Sequence, residues 1–507
     1  MSREDLTRRQ LLGGAAALGL ASAIPGVAVG ADGAEPVSGL TAGAGPASAM
    51  TAATNANVVV VVVDSLRTDH VGAYGGRRAR TPTLDALASE SLVFDAARHE
   101  VFPTVPIRKA LLTGRSDYPF RGWRPGGGLP NVPGWEGIER GERTFLDVLA
   151  LRGYQTGYVT DNPHMLRPAF ANFRARPDVM TTVKGQIPGW RQPRGRVSRS
   201  RLRRHLAPEL RGVGRGRVRE YLAYNRAGRR EEEYLAARVF GGGIDFLEQA
   251  AFTQRPFALV IDCFDVHEPW DPPDSYLADY ARIKPGGYRP LQPFPTPYGR
   301  TSDLSRGTLD LARAMYAAEI TFLDAWLGRF LTSLDALGLS NTWVAVFSDH
   351  GVSLGEHGLI GKQSNELHGE LLNVPFMLRH PQRLGAGRRT RYFASAHDVA
   401  PTLLKGVGVP VPKAMDGADL RPLFDGRPAK EARRVWTSAW GDTLLAGDDR
   451  WLLVAENDGG RIRSPRLHDV RSDPGEHRNL ARRRPDVVRR LSGELREAAG
   501  RKGFPKL

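Results

Sequence analysis

Cysteine is nearly absent from this 507-residue chain: Cys263 is the only one. A lone thiol excludes an internal disulfide framework and any cysteine-based zinc cluster. An apolar run clean enough for a permanent membrane span is also lacking, because the hydrophobic stretch from Leu11 to Val29 is broken by Pro25 and several glycines. Acids are scarce in one segment. Between Arg191 and Arg230, 14 arginines face only Glu209 and Glu220, so this stretch carries +12 of the net +16. Basicity is therefore a local property and not one of the whole fold. What is present is globular: 41% apolar and 25% charged residues exclude a mainly disordered chain. The length suits one large α/β domain with an appendage.

The N-terminus reads as an address. Arg8 and Arg9 stand before the weak hydrophobic segment, the pattern of a twin-arginine export signal over 1–30, cleaved near Ala23 or Gly30. Residues 31–56 are rich in Ala, Gly, Ser and Thr and read as a flexible linker. The expected partner is the twin-arginine export machinery, and the expected location is periplasmic or extracellular.

From there the chain alternates strands and helices. Val58 to Val63 is an unbroken valine run, the mark of a strand buried on both faces. Tyr154 to Thr160, Phe257 to Ile261, Trp343 to Phe347 and Val374 to Leu378 read as further strands. Thr83 to Ser91, Leu146 to Leu151, Tyr221 to Gln249 and Leu309 to Leu337 read as helices. This is an α/β pattern with a mostly parallel central sheet flanked by helices. Four strands run into Asp64, Asp161, Asp262 and Asp349, with His164, His267 and His350 just beyond. Ligand sites of open α/β sheets lie outside the carboxyl ends of the strands, so these stretches are expected to converge. The catalytic domain is expected over 57–430, with an Arg-rich insert at 190–230, and a small C-terminal α+β subdomain over 431–507.

Pro106 suits the first turn of a helix and Gly114 its end, which sets Thr104 at the helix N-terminus. Arg108 lies one turn on. A hydroxyl and a guanidinium there suit attack on a tetrahedral oxyanion ester. Asp64, Asp349 and His350 can bind one divalent cation, and the cation would activate the Thr104 hydroxyl and screen substrate charge. His267 is chemically suited to proton transfer.

These motifs resemble the sulfatase family of the alkaline-phosphatase superfamily. The matching stretches are Val63 to Asp69, Thr104 to Arg115, Asp262 to Trp270, Ser348 to Lys362, Ala400 to Leu404 and Asp473 to Glu476, in that order. The resemblance implies metal-dependent hydrolysis of sulfate- or phosphate-type esters. Asp64, Asp349 and His350, with Thr104, would hold one divalent metal: calcium by family, with Mn²⁺ or Zn²⁺ also compatible with the ligand set. Arg108 would hold the nucleophile and substrate oxygens, His267 would protonate the leaving oxygen, and Lys362 would contact the ester. His164 would reach the nucleophile.

Three positions depart from the family pattern. Ser65 stands where many members have a second acidic ligand. Asn162 replaces a lysine. Thr104 occupies the position that sulfatases convert to formylglycine, an aldehyde that threonine cannot form. A Thr nucleophile resembles instead the phosphodiesterase and phosphonate monoester hydrolase branches. The expected substrate is an anionic ester of a small molecule, glycan or lipid head group. The competing readings are a group transferase acting on a sugar or lipid, and a non-catalytic binder of anionic glycans. The Arg-rich insert could form an electrostatic flap or meet anionic lipids or polymers. It lacks a nucleic-acid motif, and no specific nucleic acid is expected as partner.

Overall fold

The computed structural model describes residues 55–120, 133–186, 196–210, 212–283, 287–291, 299–430, 433–500 and 503–504. The expected signal, all but the end of the linker, and 190–195 of the insert lie outside the described residues.

The valine run forms β1 (Asn57–Val63), and all seven of its residues are buried. β-branched side chains suit a pleated strand covered on both sides. Val58, Val60 and Val62 face one apolar layer with Phe102, Trp343 and Leu403. Val59, Val61 and Val63 face another with Phe240, Leu327 and Phe330. Each fully buried valine contributes roughly 1.5 kcal/mol of transfer free energy.

Seven further strands complete the sheet: β2 (Leu92–Phe94), β3 (Gln155–Thr160), β4 (Val179–Thr182), β5 (Phe257–Cys263), β6 (Thr342–Ser348), β7 (Phe376–Arg379) and β8 (Arg389–Thr390). Their spatial order is β8-β2-β7-β6-β1-β5-β3-β4. β7 alone runs against its neighbours β2 and β6, and the remaining pairings are parallel. In the register of the central strands Val63 lies opposite both Cys263 and Ser348, and Thr160 opposite Asp262. The carboxyl ends of β6, β1, β5 and β3 are thus adjacent and level.

Helices cover both faces. α1 (Pro82–Ser89) starts on a proline, α2 (Val105–Thr113) follows Thr104, and α3 (Phe145–Ala150) is held by a capping box between Thr144 and Asp147. α4 (Leu235–Thr253) packs along α5 (Arg306–Ala336) on the second layer. The single helix expected from Tyr221 to Gln249 is two. A first helix spans Arg215–Tyr224, and α4 begins only after a turn through Glu231–Glu233. Asn225 leaves the helical conformation as the first helix ends, and its side-chain amide donates to the carbonyls of Gly185 and Tyr221.

Arginines both brace the insert internally and join it to the body. Arg201 donates to the carbonyls of Leu222 and Asn225, and Arg204 to that of Gly287. Arg229 pairs with Asp271 and lies 4.0 Å over the Tyr234 ring. Leu202, Val218, Tyr221 and Leu222 are buried in the second layer.

At the C-terminus, β9 (Trp436–Trp440), β10 (Thr443–Gly447), β11 (Trp451–Asp458) and β12 (Arg461–Asp469) form an antiparallel sheet in sequence order. The final helix α6 (Pro485–Ala499) packs against it. This is the expected small α+β subdomain. Among the described residues no helix is long and apolar enough to cross a membrane.

Candidate active site

Asp64 and Ser65 follow β1, Asp349 and His350 follow β6, and Asp262 sits near the end of β5. All five are buried. Thr104 precedes α2 in a left-handed conformation (φ 41°), and its side chain makes no capping hydrogen bond. Its hydroxyl is turned instead to His350, with Oγ1 3.3 Å from Nε2. His350 Nδ1 lies 3.0 Å from the carbonyl oxygen of Gly351. A carbonyl only accepts, so Nδ1 carries the proton and the Nε2 lone pair faces Thr104.

Arg108 is the hub of the pocket. Its guanidinium is fully buried, with Nε donating to Asp262 Oδ1 at 2.9 Å. One terminal nitrogen donates to Asp349 and to the Thr104 carbonyl oxygen, the latter at 3.2 Å. The other lies 3.2 Å from Asp64 Oδ2. Tyr158 and Thr160 donate hydroxyl hydrogens to Asp262 Oδ2 at 2.9 and 3.1 Å, which fixes the carboxylate that fixes the arginine. Asp262 was legible in the sequence only as an acid closing an apolar strand. Its role beneath Arg108 is a finding of the tertiary structure.

Ser65 joins the second cation to the cluster. Its hydroxyl donates to Asp64 Oδ1 at 2.7 Å and accepts from Lys362 Nζ at 3.1 Å. Its backbone N–H donates to Asp349 Oδ1 at 3.0 Å. Asp64, Asp262 and Asp349 thus meet two cations, Arg108 and Lys362. Burial, reinforced by the neighbouring Asp349 charge, pushes the Asp64 carboxyl well above the usual carboxylate range. Burial lowers His350 to about 3 and keeps its imidazole neutral.

His164 and His267 lie across the pocket. Burial drives both well below the usual histidine range, with the positive charges of Arg108 and Lys362 adding to the effect. His267 stacks on Phe264 at 4.1 Å and places Nδ1 2.6 Å from the Glu268 carbonyl oxygen, so Nδ1 carries the proton there too. Asn162 Oδ1 accepts the backbone N–H of His164 at 3.0 Å. The amide nitrogen of Asn162 and Nδ1 of His164 are buried without a hydrogen-bond partner.

A large parallel sheet whose strand ends carry acids, imidazoles and a helix-borne hydroxyl defines an α/β ester hydrolase. The family model for Sulfatase matches residues 56–409, and the chain belongs to the sulfatase family. It is 26% identical over 478 residues to the multifunctional alkaline phosphatase superfamily protein PehA of Trinickia caryophylli, covering 84% of this chain and 91% of that protein. It is 25% identical to the arylsulfatase of Clostridium perfringens, covering 88% and 95%. The fold matches the phosphonate monoester hydrolase of Silicibacter pomeroyi with a TM-score of 0.65, covering 89% of this chain and 96% of that one at 19% identity.

Proposed function

We propose that this protein is a metal-dependent phosphodiester or phosphonate ester hydrolase that uses Thr104 as its nucleophile. The carrying observation is the Thr104 hydroxyl, spared from capping and facing His350 Nε2 at 3.3 Å. The likeness to PehA and to a phosphonate monoester hydrolase supports phosphorus substrates. The arylsulfatase relative keeps sulfate esters as the second reading.

The residues fit one divalent cation. Ligand atoms of Asp64, Asp349 and His350 lie within 4.8 Å of one another, and Asp64 Oδ2 is buried without a hydrogen-bond partner. With Asp64 ionised as a ligand must be, three carboxylates against Arg108 and Lys362 leave one negative charge for a cation to balance. Thr104 would be the fourth protein ligand. When bound, the cation would supply Lewis acidity, lowering the hydroxyl pKa and screening the ester.

The chain's own groups divide the remaining work. Thr104 releases its hydroxyl proton to solvent and Oγ1 forms the bond to phosphorus as the bond to the leaving oxygen breaks, and Arg108 holds Thr104 through its carbonyl. His267, whose own ring proton is held on Nδ1 by the Glu268 carbonyl oxygen, takes up a second proton on Nε2 as the anionic ester binds and gives it to the leaving oxygen. Burial keeps this imidazole neutral in the free pocket, so the negative charge of the bound ester is what raises its proton affinity. Lys362, beside the Ser65 hydroxyl, contacts the ester. The unpartnered amide of Asn162 is a buried donor that an ester oxygen would satisfy. Asn162 offers a neutral donor where the family has a charged lysine. Water then hydrolyses the threonine ester and regenerates the hydroxyl.

The test is turnover of 4-nitrophenyl sulfate, 4-nitrophenyl phosphate, bis(4-nitrophenyl) phosphate and a 4-nitrophenyl phenylphosphonate, with and without chelator. Phosphorus diester or phosphonate turnover above sulfate turnover is expected. Faster sulfate turnover would overturn the argument from Thr104.

A further inference from the structure

A second cluster of metal-ligating side chains lies apart from the Thr104 pocket, where the loop after β6 meets the turn after β12. His357, His368 and Glu476 bring ligand atoms within 4.8 Å of one another. The Glu476 carboxylate holds His368 by its Nδ1 at 2.7 Å and accepts the Gly369 backbone N–H at 2.9 Å. The His357 ring lies parallel to His368, with centroids 3.6 Å apart and planes 10° apart. A third imidazole, His468 of β12, stands 6.1 Å from His368, buried and with neither ring nitrogen hydrogen-bonded. Three imidazoles and a carboxylate gathered from the loop after β6, β12 and the turn beyond it are not a solvated charged face.

The backbone supports the same reading. His357 and Glu476 both adopt left-handed conformations, at φ 54° and 53°. Non-glycine residues are held there only when the surroundings demand it, and such residues concentrate at binding sites. Both conformations direct side chains onto His368.

We propose that His357, His368 and Glu476 form a second divalent-metal site, selective for a borderline transition ion such as Zn²⁺, that clips the loop carrying Lys362 to the C-terminal sheet. Two imidazole nitrogens and one carboxylate oxygen match zinc with an open fourth position, whereas calcium requires six or more oxygens. Zinc–nitrogen bonds of about 2.0–2.1 Å require the ligand atoms to draw closer than they stand. His357, the least buried of the three, turns out of the stack to do so. The ion replaces the proton shared by His368 Nδ1 and Glu476. That proton is carried instead on Nε2, beside the Glu366 carboxylate at 3.6 Å, so the imidazole stays neutral.

The site is tested on the full-length protein saturated with calcium, titrated with zinc alone by calorimetry and checked by elemental analysis after dialysis. One retained zinc equivalent is expected. His357→Ala and Glu476→Gln should each weaken zinc binding by at least about tenfold, while Asp64→Asn should retain it. His357→Ala removes a partly exposed loop ring, 16% accessible, so its fold is expected to survive, and its unfolding temperature without zinc should match wild type. Zinc uptake by His357→Ala equal to wild type, or none by wild type, would overturn the site.

Discussion

The Thr104 hydroxyl and His350 Nε2 stand 3.3 Å apart, although 246 residues separate them in sequence. The contact joins the N-terminus of α2 to the end of β6, and the first prediction concerns it. Thr104→Ala should lower turnover by at least about 10³-fold, the scale on which loss of a covalent nucleophile is felt. Thr104→Ser, which keeps the hydroxyl, should recover part of it. Denatured protein trapped during turnover should carry a phosphoryl group on Thr104. Undiminished turnover by Thr104→Ala would sink the nucleophile.

Arg108 pairs with three buried carboxylates. Arg108→Leu leaves Asp64, Asp262 and Asp349 without their guanidinium and should destabilise the protein by about 3–5 kcal/mol. Asp262→Asn should cost less, because Asp349 and Asp64 still hold the arginine. Chemical denaturation of the two variants checks the order, and a more severe Asp262→Asn would contradict it.

Chelation removes the cation expected between Asp64, Asp349 and His350. Turnover should vanish and the unfolding temperature should fall, because like charges are then left facing one another in a desolvated pocket. Adding back calcium or manganese should restore both. Full activity in metal-stripped protein, confirmed by elemental analysis, would argue against the site.

Acid stability should depend on a buried pair beneath the sheet ends. Glu100 lies 3.0 Å from His397 Nδ1, and that imidazole, aided by the Ser395 hydroxyl, holds Glu100 down to about 2 against burial. His397 is in turn raised, with Glu100 opposing the effect of burial. A depressed carboxyl contributes stability above its ordinary 4.5 that is lost as pH falls through about 2. The raised imidazole contributes below its ordinary 6.5 and loses it as pH rises above that value. The pair therefore stabilises most between those two ordinary values, with roughly 3 kcal/mol from the Glu100 shift. Glu100→Gln should flatten the acid limb of unfolding temperature against pH, and an unchanged limb would place the acid sensitivity elsewhere.

Much of this was legible in one dimension. The valine run could only be a strand covered on both faces, and Pro106 and Gly114 bracket α2 as helix-start and helix-stop residues do. Acids closing apolar strands pointed to convergence because parallel strands bring their carboxyl ends to one edge. The break between Tyr224 and Leu235 had local marks in Asn225, Gly228 and a charged run without apolar period, but the Asn225 side-chain bonds that accompany it depend on a tertiary partner, Gly185.

The sequence by itself determined the central strands, the bounds of α2 and the edge at which the acids after those strands lie, because these follow from local sterics and hydrophobic period. Only the tertiary structure decided that Asp262 supports Arg108, that Ser65 links Asp64 to Lys362, and that His357, His368 and Glu476 gather at a second place. Those are matters of side-chain direction across distant segments, and no local pattern carries that information.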